Sequence, residues 1–215
     1  CILELLLKQI KKSSLIDDII LAISQKDGNE VFVNFAKKNN LKFIQGDDTD
    51  VLERLIKGAK FVNADTILRI TSENPYIYWE GIDYLIKKHL DSNSDLTTFS
   101  DLPLGASMEI IKSKALEISH TLGTKKHRSE LCTLYINENP EKFKILRIKP
   151  EKELCKPQIR LTVDTPEDLL VAKIIYESLN KNNKLIKIKK IIKFLEENSK
   201  VSNINSNIQL RYKRF

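Results

Sequence analysis

The sequence predicts an α/β fold in which helices cover both faces of a mostly parallel, three-layered sheet. Three features indicate it: short β-branched apolar segments, amphipathic helical segments between them, and polar turn residues where the two meet. Strands that alternate with helices in this way usually form right-handed βαβ crossovers within one sheet. The 215 residues fit a single domain, which we place at residues 1–199, followed by a basic tail at residues 200–215.

The first ninety residues alternate regularly between helical and extended segments. Apolar residues recur at helical spacing from Ile2 to Ile10, which predicts a helix over residues 2–12. The elements predicted next, in chain order, are a strand at residues 17–24, a helix at 29–39, a strand at 41–44, a helix from residue 48 or 49, a strand at 65–71 and a helix at 79–90. Each strand is rich in apolar residues and bounded by turn residues.

The alternation is broken after residue 90, and we expect an antiparallel excursion within residues 101–150. The elements predicted here are strands at residues 96–99, 108–111, 143–148 and 160–163, and helices at 113–121, 129–137, 165–180 and 188–198. The helix that follows Thr165 has Pro166 at its first position and Asp168 as the reciprocal capping residue.

Composition and charge exclude several classes of protein. The chain is 41% hydrophobic and 30% charged, as in soluble globular domains, and its apolar runs are shorter than the ~20 residues of a membrane span. Residues 181–215 hold ten Lys and Arg but two acidic residues, whereas residues 1–180 carry a net charge of −1. This distribution argues against nucleic-acid binding by the folded body. Three cysteines without a C-x-x-C pair predict no zinc site and no disulfide framework, which favours the cytoplasm.

Two carboxylates follow two predicted strands at the point where each strand ends. Glu73 comes just after the strand at residues 65–71, and Asp164 comes just after the strand at residues 160–163. Ligands of open α/β sheets bind at the carboxyl ends of the strands. Two acidic side chains that meet there would form an oxygen-only site suited to Mg²⁺ and a phosphate-bearing substrate. Each has a structural alternative, since Glu73 would also cap a turn and Asp164 would also begin a helix.

Other charged residues have two interpretations each. Asp48 and Asp50 lie at a predicted helix N-terminus, where they would either cap the helix or contact a nucleotide. Arg69 and Arg160 lie within predicted strands, where a buried arginine needs a partner. Each would either pair with a carboxylate such as Glu73 or reach the phosphates of a substrate.

Two further residues are candidates for contact with a polar ligand. Glu109 follows a glycine-containing turn and would either hold hydroxyl groups or serve as an ordinary strand residue. Arg128 ends a basic stretch and would either neutralise an anion or belong to an exposed loop.

Four segments resemble one known family in order and spacing. Residues 160–169, Arg-Leu-Thr-Val-Asp-Thr-Pro-Glu-Asp-Leu, are similar to its Arg-Leu-Thr-Val-Asp-x-Pro-Glu-Asp-Leu. Residues 69–75 resemble its Arg-Ile-Thr-Gly-Asp-Cys-Pro, and residues 46–54 resemble its acidic segment ending in Asp-Val-Leu-x-Arg. Residues 130–140 resemble its Glu-His-Val-Thr-Pro-Tyr-Ile before an Asn-Pro. The family is the cytidylyltransferases related to spore-coat polysaccharide biosynthesis protein F, relatives of the CMP-Kdo and acylneuraminate synthetases.

This resemblance implies a Rossmann-like nucleotide-diphosphosugar transferase fold, a Mg²⁺-dependent reaction with CTP, and a homodimer whose partner surface we expect within residues 101–150. The catalytic residues that it implies are Arg69, Glu73 and Asp164, of which Glu73 and Asp164 would bind the Mg²⁺ ion. The nucleotide-binding residues would be Asp48, Asp50 and Arg69. The residues expected to bind the acceptor, an acidic sugar related to Kdo or the nonulosonates, are Glu109, Arg128, Glu130 and Arg160.

The chain also departs from the family pattern. The family begins with a strand and a glycine-rich phosphate loop, and we expect this sequence to be a fragment that starts after that loop. Ser72 and Glu73 replace the usual Gly-Asp pair, Ser107 replaces an Asp, and Leu131 replaces a His. Two alternatives therefore stay open: a nucleotidyltransferase that charges a sugar phosphate from another NTP, and a non-catalytic binding or assembly homologue.

Overall fold

The computed structural model describes residues 1–181 and 184–208, and all but one of the predicted helices and strands are present in the predicted order. The helices are α1 (Ile2–Ile10), α2 (Glu30–Lys38), α3 (Val51–Phe61), α4 (Ile82–Ser92), α5 (Ser113–Leu122), α6 (Leu134–Glu138), α7 (Pro166–Leu179), α8 (Ile188–Glu197) and α9 (Ser199–Ser202). The strands are β1 (Ile20–Ser24), β2 (Lys42–Gly46), β3 (Thr66–Arg69), β4 (Leu96–Phe99), β5 (Glu109–Lys112) and β6 (Ile145–Ile148). No helix in these two ranges is long and apolar enough to cross a bilayer. Residues 209–215 of the predicted basic tail lie outside the described residues.

The strands form two sheets. β1 and β2 pair in parallel, while the larger sheet has the order β3–β5–β4–β6. β5 is antiparallel to both β3 and β4, and β4 is parallel to β6. β3, β4 and β6 therefore run in one direction, and their carboxyl ends meet at one edge. The α/β class is confirmed, but the larger sheet is mixed because the predicted antiparallel excursion enters it as β5.

Residues 160–163 do not form the predicted strand. Among the described residues they make a single isolated bridge, parallel, between Leu104 and Arg160. The Val163 N–H donates to the Glu73 carbonyl at 3.0 Å. The segment therefore joins the loops that follow β3 and β4, and its apolar character reflects burial of Leu161 rather than membership of a sheet. The helix predicted at residues 129–137 is also shorter than expected, since α6 begins at Leu134.

The cap predicted for α7 is present, whereas α3 is capped one residue later than the predicted Asp48 or Thr49. The Thr165 hydroxyl accepts from the Asp168 N–H at 3.3 Å, and the Asp168 carboxylate accepts from the Thr165 N–H at 3.2 Å. This reciprocal capping box begins α7. Asp50 accepts from the Glu53 N–H at 2.7 Å and begins α3.

The core lies on both faces of the larger sheet. Ile110 and Ile111, adjacent on β5, belong to two different clusters of buried apolar residues. Successive strand residues point to opposite faces, so each cluster fills the space between the sheet and one helical layer. This is the predicted three-layered arrangement.

A groove of about 660 Å³ lies between the two sheets. Leu21 of β1, Leu68 of β3 and Leu3 of α1 line it. Among the described residues β1 pairs with β2 alone and β3 with β5 alone. The strand edges that face this groove are therefore not hydrogen-bonded to another described strand.

Candidate active site

A cleft of about 530 Å³ lies at the edge where β3, β4 and β6 end. Its walls come from the loops that follow β3 and β4 and from residues 157–164. Six of the predicted site residues line it: Arg69, Glu73, Glu109, Glu130, Arg160 and Asp164. The structure thus brings separate segments of the chain together at the edge where ligands of α/β sheets bind.

Glu73 and Asp164 lie on two backbone segments that are bonded to each other. The hydrogen bond from the Val163 N–H to the Glu73 carbonyl places the residue after Val163 beside the loop that carries Glu73. Asp164 Oδ2 accepts from Arg160 Nη2 at 2.6 Å, while Asp164 Oδ1 has no partner among the described residues. The half-buried Glu73 carboxylate has no hydrogen-bond donor or ion-pair partner in the same part of the chain. Both carboxylates therefore retain oxygens that can bind a cation.

This donor set suits a Mg²⁺ ion that is shared with a substrate. Within residues 1–181 and 184–208, no three or more His, Cys, Asp and Glu side chains form a group that could enclose a metal. Mg²⁺ usually takes one or two protein carboxylates and completes its oxygen ligands with phosphate and water. Glu73 and Asp164 are the residues that would supply those carboxylates.

The Arg69 guanidinium is held against Glu109 on the floor of the cleft. Arg69 Nη1 donates to Glu109 Oε2 at 2.7 Å, and Arg69 Nη2 donates to the Glu130 carbonyl at 2.8 Å. The Thr133 hydroxyl donates to the second carboxylate oxygen, Glu109 Oε1, at 2.7 Å. Because both Glu109 oxygens are engaged, the geometry favours a role for Glu109 in positioning Arg69 over the predicted contact with acceptor hydroxyls.

The charge of Arg69 is set by two opposing effects. Burial lowers the pKa of Arg69, but its interactions with Cys132, Glu109 and Glu73 outweigh that effect and hold the pKa above its usual value. Cys132 is fully buried nearby, and this burial raises the pKa of its thiol to about 11 although Arg69 acts in the opposite direction. Arg69 is therefore a permanent cation, and Cys132 is a neutral thiol rather than a nucleophile.

Arg160 connects the two acidic residues at the start of α7. Its Nε and Nη2 atoms donate to the two oxygens of Asp168 at 2.8 and 2.9 Å, and Nη2 also donates to Asp164. Burial would raise the pKa of Asp168, but hydrogen bonds from Arg160, Asn205 and the Asp164 backbone N–H hold it below its usual value. The Arg160 guanidinium is thus bound by the carboxylates of Asp164 and Asp168, and it orients Asp164 toward the cleft.

Three predicted site residues lie outside the cleft. Asp50, besides capping α3, pairs with His120 Nε2 at 2.9 Å. Arg128 Nη2 donates to the His120 carbonyl at 3.0 Å, and the Asp48 carbonyl accepts from Arg54 Nη1 at 3.0 Å. The structure supports the capping interpretation of Asp50, and it does not bring Asp48, Asp50 or Arg128 to the carboxylates of the cleft.

Arg147 lines the cleft from β6 and was not among the predicted site residues. Arg69, Glu109, Thr98 and Arg147 are paired in register across β3, β5, β4 and β6. Paired residues on neighbouring strands project from the same face, so these four side chains form a row on the floor of the cleft. The signal in the sequence was one charged residue near the end of the apolar segment at residues 143–148.

Known proteins match this chain over nearly its whole length. A family model described as cytidylyltransferase matches residues 1–208. The chain belongs to the cytidylyltransferase family. Protein MJ1063 of Methanocaldococcus jannaschii is 37% identical over 211 residues, which cover 97% of this chain and 85% of that protein. Spore coat polysaccharide biosynthesis protein SpsF of Bacillus subtilis is 28% identical over 181 residues, covering 82% of this chain and 75% of its own.

Solved structures share the fold of this cytidylyltransferase. A cytidylyltransferase from Leptospira borgpetersenii has a TM-score of 0.85 at 22% identity, over 98% of this chain and 88% of its own. A CMP:2-keto-3-deoxy-manno-octonic acid synthetase complexed with CTP has a TM-score of 0.61 at 12% identity, over 82% of this chain and 88% of its own. The likeness confirms the Rossmann-like nucleotide-diphosphosugar transferase fold.

Proposed function

We propose that this cytidylyltransferase transfers CMP from CTP to a hydroxyl group of an acidic sugar, related to Kdo or the nonulosonates, for cell-surface polysaccharide biosynthesis. The main support is that Glu73 and Asp164, both with oxygens that have no partner among the described residues, lie in one cleft with the permanent cation Arg69. CTP is the nucleotide in the solved synthetase of the same fold, and SpsF is named for polysaccharide biosynthesis.

In the proposed reaction the residues of the cleft bind and orient the substrates. Arg69, held by Glu109, places a positive charge beside the nucleotide phosphates. Glu73 and Asp164 would hold Mg²⁺, which when bound neutralises charge on the triphosphate. The acceptor hydroxyl forms a bond to the α-phosphorus, the bond from that phosphorus to the β-bridging oxygen breaks, pyrophosphate leaves, and the hydroxyl proton passes to water. Positioning and electrostatics suffice without a covalent nucleophile.

We further propose a cytoplasmic homodimer whose partner surface lies within residues 101–150. The support is the family membership of the chain together with the departure of this region from the βαβ alternation. Light scattering on the purified protein measures the mass directly, and a monomer at micromolar concentration would contradict the dimer.

Pyrophosphate release by the purified protein tests the proposed reaction. The protein is incubated with Kdo or N-acetylneuraminate and with CTP, UTP or no nucleotide, each in the presence of Mg²⁺ or EDTA. We expect release that requires CTP, the sugar acid and Mg²⁺ together. Release with UTP in place of CTP, release in EDTA, or no release with either acceptor would contradict the proposal.

Two matched pairs of variants test the metal-binding carboxylates. Glu73→Gln and Asp164→Asn should each lower kcat by at least about 100-fold and raise the Mg²⁺ concentration needed for half-maximal activity, since even residues that only support metal ligands contribute 10- to 100-fold. Glu177→Gln and Asp91→Asn, at exposed helical positions outside the cleft, should change neither quantity. If Glu73→Gln and Asp164→Asn keep the Mg²⁺ dependence of the wild type, Glu73 and Asp164 do not bind the metal.

A further inference from the structure

Asn205 is a buried residue in the segment that follows α9. It is 4% exposed, whereas Ser206 and Asn207 beside it are exposed. Its Nδ2 atom donates to the Arg160 carbonyl at 3.2 Å and to Asp168 Oδ1 at 2.8 Å. These partners lie 45 and 37 residues earlier in the chain. The Asn205 amide therefore joins the segment after α9 to the segment that begins α7.

The Asp168 carboxylate is enclosed by hydrogen-bond donors, one of which is Asn205. The Asp168 side chain has no exposed surface. Its Oδ1 atom accepts from Arg160 Nε and from Asn205 Nδ2, both at 2.8 Å. Its Oδ2 atom accepts from Arg160 Nη2 at 2.9 Å and from the backbone N–H groups of Asp164 and Thr165 at 3.1 and 3.2 Å. Removal of one donor leaves a buried, charged oxygen for which the remaining donors must compensate.

Asp164 is held by both members of the Arg160–Asp168 pair. Its backbone N–H donates to Asp168 Oδ2, and its own Oδ2 atom accepts from Arg160 Nη2 at 2.6 Å. Arg160 thus divides one positive charge between two carboxylates. The Asn205 amide supplies a second donor to Asp168 Oδ1, which lowers the demand on Arg160 and leaves its Nη2 atom available to Asp164.

The backbone around Arg160 is fixed as well. The Leu161 N–H donates to the Leu104 carbonyl at 2.8 Å, and the Leu104 N–H donates to the Ile159 carbonyl at 2.8 Å. The Arg160 carbonyl, which lies between these two bonds in the sequence, accepts from Asn205. The backbone that carries the Arg160 side chain is therefore bound both to the loop after β4 and to the segment after α9.

We propose that Asn205 is a positioning residue of the active site, which orients the Asp164 carboxylate for Mg²⁺ through Asp168 and Arg160. Asn205 does not line the cleft, so it acts on Asp164 and not on the substrates. The inference rests on the proposed function, which assigns Mg²⁺ to Asp164, and it adds that the segment after α9 contributes to metal binding. A residue that only anchored this segment would affect stability alone.

Binding of Mn²⁺ without nucleotide tests this inference separately from catalysis. Mn²⁺ prefers the same carboxylate ligands as Mg²⁺, and electron paramagnetic resonance measures its free concentration during a titration of the full chain. Asn205→Ala should raise the Kd for Mn²⁺ about tenfold, the lower end of the range for residues that support metal ligands. Asn205→Asp should raise the Kd at least as much, because it keeps the size of the side chain but places a negative charge beside Asp168 at neutral pH.

Two control variants separate positioning from stability. Asn207→Ala removes an amide two residues further along the chain, at an exposed position. Ile192→Val shortens a buried side chain of α8 outside the cleft, which lowers stability without removing a hydrogen bond of Asn205. Both controls should bind Mn²⁺ as the wild type does, and urea unfolding measures the stability of every variant.

Wild-type affinity for Mn²⁺ in folded Asn205→Ala would overturn the inference. An equal rise of the Kd in Ile192→Val would overturn it too, because the affinity would then follow the stability of the protein. If Asn205→Ala does not fold, Asn205→Asp, which matches the wild-type side chain in size, decides the question by the same criterion.

Kinetics extend the test where the protein turns over CTP with Kdo. Asn205→Ala should raise the Mg²⁺ concentration for half-maximal activity about tenfold, while KM for Kdo at saturating Mg²⁺ stays unchanged. An equal rise in both quantities would show a general loss of structure and contradict the positioning role. A wild-type protein that binds Mn²⁺ without turnover would reject the proposed transfer, while the titration would still decide the role of Asn205. A wild-type protein that binds no Mn²⁺ would overturn the inference together with the metal site.

Discussion

Arg69 and Glu109 form a 2.7 Å ion pair between two neighbouring antiparallel strands, 40 residues apart in the sequence. Their side chains are 17% and 22% exposed, so little water screens the pair. The second Glu109 oxygen is occupied by Thr133, which leaves the carboxylate little freedom to turn away. The position of the Arg69 guanidinium in the cleft therefore depends on Glu109, which is not itself a proposed metal ligand.

We predict that Glu109→Gln impairs both stability and catalysis. The substitution leaves Arg69 largely buried without a counter-charge, which should lower the free energy of unfolding by about 3 kcal/mol. It should also lower kcat/KM for CTP by about tenfold or more, since Arg69 is no longer held in place. Urea unfolding and steady-state kinetics measure the two effects, with Glu177→Gln as the control. Wild-type kcat/KM in a folded Glu109→Gln protein would contradict the positioning role.

The buried carboxylate of Asp168 should make stability depend on pH. The pKa of Asp168 is lowered in the folded state, so the ionised group stabilises the fold above its unfolded pKa of about 4, and this contribution is lost as the pH falls through the folded pKa. Asp168→Asn should therefore be about 3 kcal/mol less stable than wild type at neutral pH, and the difference should shrink below about pH 4. Urea unfolding across this pH range measures it. A difference that stays constant with pH, or that appears equally in Asp91→Asn, would show that the ionised Asp168 carboxylate is not the source of the pH dependence.

The three cysteines should differ in reactivity. Cys1 is exposed, Cys155 is half-buried and Cys132 is fully buried with its thiol pKa raised to about 11. Iodoacetamide at neutral pH should therefore modify Cys1 first and Cys132 only after unfolding, which peptide mass spectrometry resolves. Cys132→Ala should keep kcat within about threefold, as expected for a change that removes no reacting group. Fast labelling of Cys132, or loss of turnover in folded Cys132→Ala, would indicate a reactive thiol instead.

Two glycines with the same backbone conformation provide a test of how the cleft is built. Gly28 and Gly105 have φ values of +89° and +86°. A Cβ atom at Gly28 would meet nothing within 4 Å, whereas one at Gly105 would lie 2.6 Å from the Thr162 nitrogen and 2.8 Å from Asn74 Oδ1. Gly28→Ala should cost about 1 kcal/mol for the backbone strain alone. Gly105→Ala should cost about 3 kcal/mol and lower turnover, because residues 160–164 must move. Equal losses of stability in the two variants would contradict the close contact between Gly105 and the backbone of Thr162.

The fold was predictable where the signals are local. The apolar periodicity located every helix from α1 to α5, and the Thr165–Asp168 capping box located the start of α7. The strand predicted at residues 160–163 was wrong because burial of Leu161 produces the same apolar pattern as pairing in a sheet. A pattern of hydrophobicity reports burial, and it does not report which backbone is the partner.

Two carboxylates of the cleft could be located from the sequence, because each follows an apolar segment that ends in a turn. Glu73 and Asp164 reach one cleft because the loops after β3 and before α7 are bonded to each other at the edge of the sheet. Asp50 was a candidate for nucleotide contact, and its cap and its pairing with His120 account for both of its oxygens. Arg147 had no motif around it, so its place in the cleft became visible only from the strand register.

By itself, the sequence determined the α/β class, the cap of α7 and the positions of Glu73 and Asp164 at segment ends, because these depend on residues within a few positions of one another. Tertiary structure alone decided that Arg69 pairs with Glu109 and that Arg147 lines the same cleft without an ion pair to any described residue. The physical reason is that an ion pair depends on which distant strands come into register, and the insertion of β5 between β3 and β4 sets that register.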